Sequence, residues 1–225
     1  GKYNFNNDKS TESVFGFCDI PGFDDSKMQC WEMTENGKSY ALFQTIDGWD
    51  DQAVDAEGKL KFDEDDIPIK NWASGFEARY PDDGNEADTT DLKSFAEWLI
   101  SCDAEKFDKE KGEHIDLWKM AAYYVYLMRF GAVDQVVKNS MFTSEDGNHF
   151  YFINYDNDTI LGVKNDGRLV FDPTIDRQTP DPDFPDAYAY AGHDSRLWNM
   201  LEDDKEFMDI VKAVDSALGS AGMTY

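Results

Sequence analysis

Basic residues are scarce in this chain: 21 Lys and Arg stand against 47 Asp and Glu, a formal net charge of −26 over 225 residues. Such a surface repels nucleic-acid phosphates and anionic lipid, which argues against direct binding to either. It also repels a free nucleotide unless a divalent cation screens the site. His114, His149 and His193 are the only histidines, and no pair has the helical spacing of a metal site. Cys18, Cys30 and Cys102 are an odd number with no C-x-x-C spacing. Reduced, buried thiols are expected, not a disulfide framework or a zinc site. No apolar run reaches membrane-span length, and the N-terminus has no signal-peptide pattern. Nor does Met precede Gly1, so a processed product or a piece of a longer polypeptide is expected. No internal repeat is read.

What the chain does have is enough apolar material for a core, with 41% hydrophobic and 15% aromatic residues. At this length that core serves one large domain or two small ones. Residues 1–85 read as a β-rich part. Val14-Phe-Gly-Phe17, Cys30-Trp-Glu-Met33, Tyr40-Ala-Leu-Phe-Gln-Thr45 and Phe76-Glu-Ala-Arg-Tyr80 are strand candidates, and Glu35-Asn-Gly-Lys38 carries a hairpin turn. Residues 48–70 are acidic and turn-rich, with Phe62-Asp-Glu-Asp-Asp66 read as a solvated loop.

Residues 86–225 read as a mainly helical part. Leu92, Phe95, Ala96 and Leu99 recur at helical spacing, and a second, almost wholly apolar helix is expected from about Ile115 to Phe130, stopped by Gly131. Strands are expected at His149–Tyr155, Thr159–Val163 and Arg168–Phe171. Four of the seven prolines fall in residues 172–187, an extended loop. One last helix is expected to start near Asp194-Ser195, to carry Phe207, Ile210, Val211, Val214 and Leu218 on one stripe and to close at Gly219. Trp31, Trp98, Trp118 and Trp198 are assigned to the core. The order of strands, helices, hairpin and helix makes the fold class α+β.

The chemistry-bearing stretch is Asp134-Gln-Val-Val-Lys-Asn139 followed by Phe150-Tyr-Phe-Ile-Asn-Tyr-Asp156-Asn-Asp158. Protein kinases use an Asp with an Asn five residues later, then a further Asp beyond a short hairpin. The first accepts the proton of the attacking hydroxyl, and the other two hold magnesium against the phosphates. Hard oxygen ligands suit that ion. Two readings stay open, because Asp and Asn also favour caps and turns. Asp156-Asn-Asp158 is likewise a turn or a cation site; the calcium-loop pattern fails, with Leu161 at its sixth position and Gly167 at its twelfth. His193, Asp194 and Ser195 read as a helix-capping segment; adjacent residues cannot form a hydrolase relay.

Phe76-Glu-Ala-Arg-Tyr-Pro81, Phe130-Gly-Ala-Val-Asp134 through Lys138-Asn139, Tyr151-Phe-Ile-Asn-Tyr-Asp-Asn-Asp-Thr159 with Gly162, and Leu197-Trp-Asn-x-Leu-Glu202 resemble the CotH-like family. These are atypical protein kinases first described for spore coats. The wording of residues 131–225 is also similar to structural proteins of crAss-like phages, and the opening segments to large proteins of gut bacteria. The resemblance implies a protein-kinase-like α+β domain with a helical lobe, β-hairpins and an incomplete upstream nucleotide lobe. It implies Asp134 as catalytic base, Asn139 with Asp156 or Asp158 as magnesium ligands, Lys138 toward the cofactor, and ATP as phosphate donor. The family's phosphate-pairing lysine segment has no counterpart; Lys2, Lys9 and Lys38 are candidates without its motif. Phosphotransfer by these residues alone is therefore expected to be weak. A protein substrate or a neighbouring structural protein is the implied partner, in a phage virion or at a cell surface, without nucleic acid or membrane insertion. The rival is a structural or adhesion module that keeps the fold without catalysis.

Overall fold

The computed structural model describes residues 25–34, 38–81, 83–132, 134–155, 157, 160–161 and 195–222. Four strands form one antiparallel sheet: β1 (Gln29–Met33), β2 (Phe76–Tyr80), β3 (Ser140–Ser144) and β4 (Phe150–Asn154), in the order β2-β1-β3-β4. Trp31 pairs with Ala78 on one side and Phe142 on the other, and Phe142 pairs with Phe152. Because strand side chains alternate, this register gathers Trp31, Met33, Phe76, Ala78, Phe142, Phe150 and Phe152 on one face. All seven are buried in the core.

Seven helices accompany the sheet among the described residues: α1 (Lys38–Leu42), α2 (Thr90–Ser101), α3 (Ala104–His114), α4 (Leu117–Phe130), α5 (Asp134–Val137), α6 (Arg196–Asp203) and α7 (Lys205–Ser220). The caps explain the boundaries. Asp103, Asp116, Ser195 and Asp204 each stand just before a helix, and their side chains accept from Lys106, Lys119, Trp198 and Phe207 backbone N–H. Each satisfies a donor that the first helical turn leaves orphaned. Gly131 ends α4 in the left-handed conformation, φ 59°, with its N–H on Leu127 O.

Phe142 lies at the centre of the aromatic packing. Its ring centroid is 4.8 Å from Phe150, 5.0 Å from Phe95 and Phe152, and 5.3 Å from Phe43. Sheet, α1 and α2 thus share one core, and Trp198 of α6 joins it by stacking on Phe152 at 5.5 Å.

Several expectations are corrected by the structure. Tyr40-Ala-Leu, expected as strand, lies in α1, where Tyr40 packs into the core and reaches a distant carbonyl. Helix α3 and strand β3 are additions; α3 is mostly charged and shows little apolar periodicity, and β3, Ser-Met-Phe-Thr-Ser, has only two apolar residues. The single last helix is two, broken at Asp204, which ends one and caps the next. Gly219 therefore lies inside α7. Trp118 is 60% exposed on α4 and is not core. Ile160 and Leu161 are not in a strand; the rest of that candidate, and those at Val14–Phe17 and Arg168–Phe171, lie outside the described residues, as does the Asn-Gly turn.

The acidic segment at 48–70 is also no plain loop. Asp47, Asp55, Asp63 and Asn71 recur at intervals of eight residues, and the backbone follows that period. Residue pairs Gln52 and Lys70, Val54 and Leu60, and Phe62 and Pro68 form antiparallel bridges. Between them the hydrogen bonds close a ring: Ala53 N–H donates to Ile69 O, Ile69 N–H to Lys61 O, and Lys61 N–H to Ala53 O, at 2.8, 3.2 and 2.9 Å. Three eight-residue repeats therefore form a triangular unit. At two corners a carboxylate replaces missing ladder partners: Asp55 Oδ1 accepts from Glu57 and Lys59 N–H, and Asp63 Oδ1 from Asp65 and Ile67 N–H. The expectation of no internal repeat is thus corrected; Asp47, Asp55, Asp63 and Asn71 mark the period in the sequence, while most other positions vary.

Candidate functional site

Helix α5 is a single turn, so its carbonyls have no following turn to serve. Buried tyrosines take that role. Tyr123 of α4 donates its hydroxyl hydrogen to Gln135 O at 2.6 Å, and Tyr40 of α1 donates to Val136 O. Trp198 Nε1 in turn donates to the Tyr40 hydroxyl at 2.8 Å. A buried phenol needs such a partner, and here three helices use it to fix the turn that begins at Asp134. Of Asp134 itself the backbone is described, at the first position of α5.

Asn139 follows in the left-handed region, φ 52°. Asn tolerates that conformation better than most residues, and such positions concentrate at functional sites. Its N–H donates to Met33 O at 3.2 Å, and its carbonyl accepts from Tyr155 N–H at 3.1 Å. Ser140 then pairs with Asn154. The hairpin β3–β4 thereby returns the chain to Asn139 one residue before Asp156. Asp156 and Asp158 lie outside the described residues, but Asn157 between them is described. Its Oδ1 accepts from the Tyr126 hydroxyl and from Asn154 Nδ2, the latter at 3.2 Å. Tyr123 and Tyr126 sit one turn apart on α4, so one helix touches both halves of the motif. No sequence signal separated these two tyrosines from the rest of an apolar helix.

Lys138, half-buried, lies between α5 and β3. Lys38 is the first residue of α1, and Lys2 and Lys9 lie outside the described residues. His193 and Asp194 do as well, whereas Ser195 caps α6 as expected, accepting from Trp198 N–H at 3.2 Å. Cys30 and Cys102 are free and buried. Burial pushes the Cys30 thiol up to about 12, far from a thiolate nucleophile at neutral pH.

Elsewhere, Asp108, Asp204 and Glu206 approach closely enough to hold an ion. Lys111 occupies their midst: its Nζ is 2.6 Å from Asp108 Oδ1, 2.9 Å from Asp204 Oδ2 and 3.3 Å from Glu206 Oε2. Burial disfavours the ammonium, but the three carboxylates outweigh it and raise the pKa of Lys111. This group is a brace between α3 and the start of α7, already neutralised by a lysine.

These features define an α+β protein in which one helix, α4, is hydrogen-bonded both to the Asp-to-Asn turn, through Gln135, and to Asn157 beyond the β-hairpin. The chain belongs to the CotH kinase family: the family model described as CotH kinase protein matches residues 12–218. No curated protein matches it.

Proposed function

We propose that this chain is the part of an atypical protein kinase that holds metal and acceptor, passing the γ-phosphate of ATP to a Ser or Thr hydroxyl. In this reading Asp134 accepts the hydroxyl proton, Asn139 with Asp156 or Asp158 holds magnesium, and Lys138 faces the nucleotide. The observation that carries it is the double attachment to α4: Tyr123 to Gln135 beside Asp134, and Tyr126 to Asn157 between the two later aspartates. Membership of the CotH kinase family supports the same assignment.

The donor set suits the metal. An amide oxygen and carboxylates are hard ligands, and the ion supplies charge neutralisation for the transferring phosphoryl group. In so acidic a chain it would also relieve the repulsion between the nucleotide and the protein. Asn139, held through its backbone at the end of β1 and the end of β4, is fixed before any ligand arrives. The chain would act within a larger phage or surface-associated protein whose upstream part provides the phosphate-pairing lysine.

The test is magnesium-dependent transfer of labelled γ-phosphate to an acceptor protein, by the chain and by a longer polypeptide that extends it upstream. The extended form is expected to transfer and the Asp134→Ala variant not to. In parallel, magnesium should raise the melting temperature of wild type more than that of Asp156→Asn or Asp158→Asn, because a native-state site stabilises by mass action. Equal shifts in all three would mean diffuse screening. Absence of transfer in both lengths would leave a non-catalytic structural module.

A further inference from the structure

We infer that the triangular unit of residues 47–71 is a docking face for a basic, apolar-centred segment of another protein. Each bridged pair is flanked by backbone hydrogen bonds: Val54 and Leu60 by Lys61 N–H to Ala53 O and Asp55 N–H to Lys59 O, Phe62 and Pro68 by Ile69 N–H to Lys61 O and Asp63 N–H to Ile67 O. Pairs of that kind bring opposing side chains close together on one side. Leu60 and Phe62, two apart, share that side. Val54, Leu60, Phe62 and Pro68 therefore lie on one face of the triangle, together with the third bridged pair, Gln52 and Lys70.

The intervening residue Ala53 is buried, at 4% exposure, and so anchors the opposite side. Trp49 and Trp72, each 1% exposed, fix the base of the unit in the core, and Trp49 Nε1 donates to Thr89 Oγ1 at 3.2 Å. The unit is thus a rigid outgrowth, attached at one side and open at the other.

On the open side Val54, Leu60 and Phe62 are 53, 50 and 49% exposed, half of the six large hydrophobic residues that stand exposed among the described residues. Such a concentration, on so small a unit, marks a contact surface. Around it the unit carries Asp55, Glu57, Asp63, Glu64, Asp65 and Asp66 against Lys59, Lys61 and Lys70. That rim selects the occupant. A second copy, at −26, is repelled. A segment with Lys or Arg flanking Leu, Val or Phe fits both the face and its rim. This inference does not depend on phosphotransfer, and either can fail alone.

The probe is a displayed random-peptide library selected on the full chain, followed by fluorescence anisotropy with the peptides recovered. Peptides with basic residues around an apolar centre are expected. The Leu60→Ser/Phe62→Ser double variant should weaken them about tenfold or more, as loss of a central apolar anchor does. Glu64→Lys/Asp65→Lys, which leaves the apolar face intact, should also weaken them, and added salt should weaken wild-type binding. Both variants change exposed residues and should keep the circular dichroism of wild type. Failure to enrich peptides, recovery of peptides without basic residues, or equal binding by the double variant would overturn the inference. So would self-association in sedimentation, or binding to phosphatidylcholine vesicles, if the double variant abolished it.

Discussion

Tyr123 and Tyr126, one turn apart on α4, reach opposite halves of the candidate site: Tyr123 donates to Gln135 O at 2.6 Å, and Tyr126 to Asn157 Oδ1. The helix is rigid because Met120, Ala121, Tyr124, Val125 and Leu127 are buried along it. Its two phenols therefore transmit a fixed spacing to two segments far apart in sequence.

Removing the Tyr123 hydroxyl leaves a carbonyl of α5 without that donor. Tyr123→Phe is expected to cost about 1–2 kcal/mol in urea unfolding, the usual penalty for losing a buried hydrogen bond. Tyr126→Phe, at a half-buried position, should cost less. Under the proposed function these are positioning residues, and both variants should lower kcat for phosphotransfer by the extended polypeptide with little change in KM for ATP. Wild-type kcat in Tyr123→Phe would refute that role.

Lys111 is nearly inaccessible, at 2%, and faces Asp204, whose side chain is 6% exposed. Lys111→Met strands that carboxylate and is expected to cost about 3 kcal/mol. Adding Asp204→Asn removes the stranded charge while keeping a capping side chain. The double variant should therefore be more stable than the two single losses added together, a coupling that a double-mutant cycle reads directly. The pKa of Lys111 is raised above its ordinary 10.5 in the folded state. Its contribution is therefore complete below that value and lost as pH rises through the folded one, so alkaline melts should narrow the gap between wild type and Lys111→Met.

The β3–β4 turn has the opposite dependence. Asp146 Oδ1 accepts from Asn148 and His149 N–H, both at 2.9 Å, and its Oδ2 lies 2.6 Å from His149 Nδ1. Partial burial alone would raise its pKa, but these hydrogen bonds win and lower it well below 3.8. The turn's stabilisation is then present above the ordinary carboxylate value and lost as pH falls through the depressed one. Asp146→Ala should lower the melting temperature by a constant amount above about pH 5, with the difference shrinking below about pH 3. A difference that grows on acidification would contradict this assignment. Gly147, φ 78°, completes the turn; a Cβ there would meet Asp91 Oδ2 at 2.6 Å, so Gly147→Ala should destabilise as well.

Local patterns in the sequence sufficed for much of the fold. Apolar residues at helical spacing marked α2 and α4, runs of β-prone residues marked β1, β2 and β4, and Gly131 marked the stop before Asp134. The spacing from Asp134 to Asn139 was legible in the sequence, but β3, whose pairing with β4 brings Tyr155 back to Asn139, was not. Nor were long-range relations. Tyr40 is helical because its hydroxyl finds Val136 and Trp198, and Asp204 divides two helices because it serves the second and meets Lys111. The eight-residue repeats close a ring through backbone hydrogen bonds that scarcely depend on side-chain identity. Sequence alone determined much of which segments are regular and where the acidic residues cluster. Only the tertiary structure decided what held them in place, because a buried hydroxyl, ammonium or carbonyl must find its partner wherever the fold brings one within reach.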